Sequence, residues 1–270
     1  MLSASALFRD GFLFLGRTIR LVLLRAIPLI VVLAVWEVVS RYEIVNPRLF
    51  PAPSQAWLAF VEWYRTGDLY NDFAASYWRA LAGLGAGGCL GIALGMATGR
   101  SRFASAVLAP LVQILRPLPP VAIIPLIIVW LGIGNNAKIF SIAFAVFFPV
   151  WLNTHLGAAH VAQAYLWSAK LLSKSRVRTI LRVMVPATLP SIIAGLRTAI
   201  PLAFVMVFVS ELAGASEGLG YRISLCHLAY RIDMMMAALA VLAGAGALAD
   251  LCFAAAVHLV FPWTRSLSGR

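Results

Sequence analysis

The sequence predicts an all-α integral membrane protein with six transmembrane helices. Of its 270 residues, 62% are hydrophobic and only 12% are charged, and the mean hydropathy is +0.90. Six stretches of about 20 residues are apolar enough to cross a bilayer. A soluble domain of this length needs more charged surface than these residues supply, so the composition excludes a soluble protein.

The six predicted spans are long apolar runs, although proline and glycine blur several of their ends. They cover residues 22–40, 74–98, 105–131, 138–158, 188–212 and 234–261. No small-residue cleavage site follows the first span, so we expect that span to be retained. The chain is therefore expected to be one transmembrane domain over 1–270, with an N-terminal segment at 1–21, a membrane core over 74–261 and a long loop at 159–187.

Basic residues are divided unequally between the two sides of the predicted membrane. The side with both termini and the 159–187 loop holds 13 Lys and Arg residues and one acid, Asp10, whereas the other side holds seven bases and most of the acids. By the positive-inside rule, the termini and this loop are expected to be cytoplasmic. The net charge of +12 therefore favours contact with anionic lipid and not with nucleic acid.

A glycine recurs at every fourth position of the second span. These glycines share nearly one helix face, and without side chains they allow another helix to approach closely. We expect helix packing along the stripe formed by Gly83, Gly87, Gly91, Gly95 and Gly99. The same region also spells G-x-G-x-x-G, but a dinucleotide site needs a strand before it, so packing is favoured.

The third span is predicted to be broken. Four prolines fall between residues 117 and 125, and each lacks a backbone donor and clashes with the preceding helical turn. Irregular backbone inside a bilayer is tolerated only against protein or a water-filled cavity, so this segment should face a pathway or a helix interface. The candidates for a substrate pathway are Arg116, Pro117, Pro119 and Pro120. A kink that only stabilises the bundle is the alternative.

Glu211, at the outer end of the fifth span, is the other pathway candidate. Ionisable residues inside a membrane are costly and usually functional. Arg116 could attract an anion such as a sulfonate, nitrate or carboxylate. Snorkelling or an ion pair between helices is the alternative for both residues.

The sequence contains no catalytic motif. It lacks the phosphate-binding G-x-x-x-x-G-K-[ST] loop, its four histidines share no metal-ligand spacing, and its three cysteines form no disulfide frame. Among the cysteines, Cys226 is expected to be the one that meets water. We predict a chain that is not an enzyme and that binds no cofactor or metal itself.

The 159–187 loop is too long for a hairpin. Residues 164–172 have helical propensity and an apolar face, whereas residues 174–182 are basic and amphipathic. Two short helices here would fit a groove of a soluble partner. A basic helix lying on anionic lipid is the alternative.

Motifs along nearly the whole chain resemble the permease subunits of ABC importers, specifically the nitrate, sulfonate and taurine branch. The resemblance implies a type I importer permease fold with cytoplasmic coupling helices. The matching motifs are Phe50-Pro51-Ala52-Pro53-Ser54, Arg116 to Pro125, Trp130 to Gly134, Asn153-Thr154 with Gly157, Ser210-Glu211-Leu212, and Gly218 to Tyr221.

The family's coupling motif reads Glu-Ala-Ala, three residues, Gly, nine residues, then Ile-x-Leu-Pro. The resemblance implies contact with an ATPase at Ala164, Leu166, Trp167, Ser168, Ala169, Lys170, Leu172, Ser173 and Pro186. Trp167 replaces the Glu and Ser173 replaces the Gly. One hypothesis is that Trp167 anchors the ATPase through an apolar contact. Pairing with a second permease that keeps the standard motif is another, and a degenerate, non-functional copy is a third.

The resemblance implies an inner-membrane permease that imports a small, anionic solute. The implied partners are a second permease copy, a cytoplasmic ABC ATPase dimer that binds ATP and Mg²⁺, and a periplasmic or lipid-anchored solute-binding protein. Homodimer and heterodimer both remain open. The rival is a stand-alone secondary transporter, which would need coupling-ion chemistry in the membrane and often carries inverted repeats.

Overall fold

A computed structural model describes residues 27–165, 167 and 175–261, and within these ranges the chain is helical and contains no strand. The all-helical prediction is confirmed for this part of the chain. Leu166, Ser168, Ala169, Lys170, Leu172 and Ser173 lie outside the described residues. The helices are α1 at 27–41, α2 Pro53–Thr66, α3 Asp68–Arg100, α4 Arg102–Leu115, α5 Ile124–Leu131, α6 Asn135–Ala159, α7 Val185–Leu212, α8 Leu219–Leu228 and α9 Ile232–Val260.

Four helices in the described ranges are long and apolar enough to cross a membrane. They are Asp68–Arg100, Asn135–Ala159, Ile180–Leu212 and Ile232–Val260, and they correspond to the second, fourth, fifth and sixth predicted spans. The first three of these helices are longer than predicted, by four to eight residues, and the last is longer by one residue. The first predicted span begins before the described residues, so the count of six stays a prediction.

The third predicted span is two helices with an irregular connection. Helix α4 ends at Leu115, and α5 begins at Ile124 with Pro125 in its first turn. A proline is tolerated at that position because the first amides of a helix have no partner within the helix. The break therefore falls where the prolines of the sequence predict it, and each half is too short to span a bilayer alone.

Helices α3 and α6 run parallel and in close contact along the glycine stripe. A Cβ atom placed on Gly83 would lie 2.5 Å from Ile142 Cβ, and one placed on Gly95 would lie 2.6 Å from Thr154 Cβ. The partner residue advances along α6 as the glycine advances along α3, which establishes the parallel direction. Glycine permits this spacing because any side chain would meet α6.

The basic segment before α7 does not form a separate short helix. Helical residues Arg176–Thr179 pass through a five-residue π-helical segment, Ile180–Met184, directly into α7. Pro186 lies in the first turn of α7, where its ring would crowd the carbonyl of the preceding turn in a regular helix. The wider π turn relieves that contact, and the helix continues instead of breaking.

The core lies between α3, α6, α7 and α9. Its central side chains are completely or almost completely buried, among them Ile142, Val146, Ala199 and Ala203. Cys226 of α8 also packs against this core and is 6% exposed, so the prediction that it meets water was wrong. Helix α8 folds back onto the bundle, and the resulting burial raises the pKa of the Cys226 thiol.

Candidate functional site

Three buried polar side chains continue the glycine stripe toward the beginning of α3. Asp72, Ser76 and Arg79 are spaced i, i+4 and i+7, so they share one helix face. They are 3%, 0% and 3% exposed, respectively. The face that packs on α6 through glycine in its second half thus carries hydrogen-bonding and charged groups in its first half.

Glu211 of α7 receives hydrogen bonds from this polar face. Arg79 Nη1 lies 2.7 Å from Glu211 Oε1, and Ser76 Oγ donates to the same carboxylate at 2.8 Å. The amide of Gly220 donates to Oε2 at 2.8 Å. Because the Glu211 carboxylate is fully buried, these donors and the Arg79 charge replace the water it would otherwise bind.

The first amides of α8 are capped by side chains of two other helices. Gly218 N donates to Asp72 Oδ1 at 2.9 Å and Leu219 N donates to Ser76 Oγ at 2.8 Å, alongside the Gly220 amide that bonds Glu211. Carboxylates at a helix N-terminus satisfy free amides and favour the helix dipole. The clamp formed by Asp72, Ser76, Arg79 and Glu211 therefore fixes the start of α8 against α3 and α7.

Gly218 must be glycine for this arrangement. Its φ is +124°, a conformation that side chains rarely adopt, and a Cβ atom there would lie 2.6 Å from the Glu211 carboxylate.

The second oxygen of Asp72 holds α2 and α8 together. Arg222 Nε donates to Asp72 Oδ2 at 2.8 Å, and Trp63 Nε1 donates to the same oxygen at 3.2 Å. The Arg222 guanidinium also lies 5.5 Å from the Trp63 ring centroid, within cation–π range, and 3.0 Å from Asp68. Burial opposes the positive charge, but hydrogen bonds and attraction from Asp72 and Asp68 outweigh it and raise the pKa of Arg222.

Arg79 also borders a polar cavity of about 430 Å³ at this end of the bundle. Its Nε donates to Asn135 Oδ1 at 2.8 Å, and Nη1 donates to the Glu217 carbonyl at 2.9 Å. Nη2 lies 3.2 Å from the half-exposed Glu217 carboxylate. Besides these residues, the cavity is lined by Lys138, Ser216, Ile133, Gly134, Gly214 and Ala215.

The structure does not bring the two predicted ionisable pathway residues together. Glu211 pairs with Arg79, whereas Arg116 lies exposed just after the end of α4. Among the described residues, Arg116 forms no ion pair. Pro117 and Pro119 are exposed and Pro120 is half-buried, on the connection between α4 and α5.

The predicted coupling residues that the structure describes lie at the opposite end of the bundle. Trp167 is 64% exposed, and Ala164 and Pro186 are also exposed. The side chain of Arg100, at the end of α3, donates to Gln163 Oε1 at 3.1 Å. This bond ties the beginning of the loop to the helix that carries the clamp.

The sequence reasoning missed Asp72, Ser76 and Arg79. Arg79 entered only as one base in the charge count, and Ser76 did not enter at all. The available signal was periodicity, since the three residues extend the glycine stripe toward the N-terminus at the same helical spacing.

Residues 87–266 match the family described as binding-protein-dependent transport system inner membrane component. The taurine transport system permease protein of Escherichia coli K12 is 31% identical over 240 residues, which cover 87% of each chain. A permease protein of Bacillus subtilis 168, provisionally named for aliphatic sulfonates transport, is 31% identical over 88% of this chain and 87% of its own. A crystal structure of an amino acid ABC transporter with histidines is similar in fold at 15% identity, with a TM-score of 0.53 over 75% of this chain and 92% of that chain.

Proposed function

This chain belongs to the binding-protein-dependent transport system inner membrane component family and is an ABC importer permease, and on that premise we propose that it imports a small anionic solute of the sulfonate class. The observation that carries the solute class is the similarity, over 87% of both chains, to a permease named for taurine transport. Family membership and the apolar helices make it a multi-pass protein of the inner membrane.

The proposed route for the solute passes the irregular connection between α4 and α5. Arg116 stands exposed at its start and offers a positive charge that no acid of the described residues neutralises. Prolines 117, 119 and 120 hold this backbone out of a regular helix, and the turns that replace it engage the carbonyls of Leu115, Pro119 and Val121, so the side chain of Arg116 is the group proposed to meet the solute.

The proposed partner at the opposite end is a cytoplasmic ABC ATPase dimer that binds ATP and Mg²⁺, while this chain itself catalyses no reaction. The exposure of Trp167 supports docking there, because an aromatic side chain that is 64% exposed in the 159–187 loop offers an apolar anchor of the kind common at protein interfaces. With this assignment, both termini are cytoplasmic and the clamp and the polar cavity face the solute-binding protein.

The continuity from Arg176 to Leu212 suggests how ATPase motion would reach the other side of the membrane. A displacement of the basic segment would be transmitted along α7 as a rigid body to Glu211, whose carboxylate holds the first turn of α8. The pathway would then switch between inward-facing and outward-facing states by movement of α7 and α8 against their neighbours. The second permease of the complex is either another copy of this chain or a different permease.

The test is to purify the chain from its native membrane under mild conditions, identify the accompanying proteins, and reconstitute the complex in liposomes. We expect an ABC ATPase, vanadate-sensitive ATP hydrolysis, and ATP-dependent uptake of taurine or an alkanesulfonate when the binding protein is supplied. Uptake without an ATPase would identify a secondary transporter. Recovery of an inactive chain without partners after intact extraction would identify a degenerate copy.

A further inference from the structure

We propose that the cavity beside Arg79 is an anion-binding subsite in which Lys138 Nζ contacts the anion directly. The inference rests on the proposed function, because the anion is taken to be the charged head group of the imported solute. It assigns this head group to a place at the solute-binding-protein end of the bundle, in a cavity that Arg116 does not line.

Lys138 is a buried ammonium group with little to bind. The residue is 6% exposed and borders the cavity. Within the described ranges its one hydrogen bond is to the Gly134 carbonyl at a long 3.4 Å, and no carboxylate lies within 4.0 Å of Nζ. An ammonium group has three donors, and burying such a charge without a partner is costly, so an anion in the cavity would relieve that cost.

All three nitrogen atoms of Arg79, the second cation at the cavity, already donate hydrogen bonds to protein groups. Its three nitrogen atoms donate to the Glu211 carboxylate, to Asn135 Oδ1, and to the carbonyl and carboxylate oxygens of Glu217. Lys138 is therefore the cation that remains available to an incoming anion.

The beginning of α6 adds uncharged donors around the same space. Asn135 is the first residue of this 25-residue helix, and Gly134 before it supplies no side-chain cap. Both residues line the cavity, so the amino end of the helix, with its uncapped first amides and the positive end of its dipole, lies at the cavity. Because Asn135 Oδ1 accepts from Arg79, its Nδ2 amide is turned away from Arg79, and no other residue that the structure describes accepts a hydrogen bond from it. A volume of about 430 Å³ is in the usual range for a small-molecule site.

Glu217 repels an anion in this cavity, so removing its charge should change anion binding in the opposite direction to removing the charge of Lys138. Its carboxylate borders the cavity and is half-exposed. Removing its negative charge while keeping its shape, with Glu217→Gln, should strengthen anion binding. Lys138→Gln should weaken it, and Lys138→Arg should preserve most of it.

The experiment measures thermal protection of the purified permease–ATPase complex by sodium methanesulfonate at constant ionic strength. Dimethyl sulfone serves as an uncharged analogue of similar shape. We expect methanesulfonate to raise the melting temperature of the wild type and dimethyl sulfone to leave it unchanged. Lys138→Gln should raise the half-protecting concentration at least about tenfold, which corresponds to about 1.4 kcal/mol, whereas Lys138→Arg stays within about threefold. Arg65→Gln, which removes an exposed charge from α2 outside the cavity, should match the wild type.

Equal protection of the wild type and Lys138→Gln, or no protection of the wild type, would overturn the subsite. If Lys138→Gln does not assemble, Glu217→Gln decides, because unchanged or weaker protection contradicts the proposal. ATP-dependent sulfonate uptake by the wild type is measured in parallel. If the wild type takes up sulfonate but Lys138→Gln leaves protection by methanesulfonate unchanged, only the subsite is contradicted. If methanesulfonate protects the wild type but no uptake occurs, only the proposed function is contradicted.

Discussion

Arg79 Nη1 lies 2.7 Å from Glu211 Oε1, and the two side chains are 3% and 0% exposed. They are 132 positions apart in the chain and join the first half of α3 to the last turn of α7. A buried ion pair repays its desolvation only when its other hydrogen-bonding groups are also satisfied. Here Ser76 and the Gly220 amide donate further hydrogen bonds to Glu211, and Asn135 and Glu217 accept further hydrogen bonds from Arg79. The pair therefore fixes α3, α7 and α8 in one alignment.

Glu211→Gln is expected to destabilise the protein by about 3–5 kcal/mol, because it leaves the buried Arg79 without its main counter-charge. The measurement is the free energy of unfolding in detergent, from denaturant titration. The control is Arg41→Gln at the end of α1, just beyond the first predicted span, which breaks an exposed ion pair with Glu37 and should cost less than about 1 kcal/mol. Similar losses in the two variants would contradict the role assigned to the buried pair.

Gly87→Ala should lower the stability of the protein and Gly85→Ala should raise it, although the two positions are only two residues apart on α3. A Cβ atom on Gly87 would collide with the backbone of Ala143, whereas a Cβ atom on Gly85 meets nothing within 4 Å. We expect a loss of about 1–3 kcal/mol for Gly87→Ala, from overpacking. Gly85→Ala should gain up to about 1 kcal/mol, from helix propensity. Melting temperatures of the two variants check this, and equal shifts would refute the close contact of α3 with α6.

The ion pair of Glu62 with Arg231 should make stability depend on acidic pH. Arg231 donates from Nη1 and Nη2 to the two carboxylate oxygens, each at 2.8 Å, and these bonds lower the pKa of Glu62 in the folded protein. A lowered folded pKa gives stabilisation that is complete above the unfolded value, about 4.3, and that is lost as the pH falls through the folded pKa. Arg231 also bonds Asp233 at 3.1 Å.

The measurement for this pair is the difference in melting temperature between the wild type and Glu62→Gln. We expect the wild type to be more stable at pH 7 and the difference to shrink below about pH 4. A difference that is the same at pH 7 and pH 3.5 would show that the carboxylate charge contributes nothing.

Features that depend on nearby residues could be read from the sequence, and features that depend on distant ones could not. The break after Leu115 follows from proline chemistry within nine residues, and the glycine stripe follows from the period of one helix. The Arg79–Glu211 pair depends on how α3 and α7 are placed against each other, which no local pattern specifies. For the same reason, the burial of Cys226 was missed, because it arises only when α8 folds back on the bundle.

Trp167→Ala should weaken binding of the ATPase without lowering the amount of permease in the membrane. Loss of an aromatic anchor typically costs at least about 2 kcal/mol, which is roughly a thirtyfold weaker complex. The measurement is the ATPase recovered per permease after mild purification, together with uptake in liposomes. Trp57→Ala is the control, since Trp57 is equally exposed, at 64%, but lies on α2 at the other end of the bundle. Full ATPase recovery and uptake with Trp167→Ala would rule out the anchor. A drop in both with Trp57→Ala as well would show a loss of folding and not of docking.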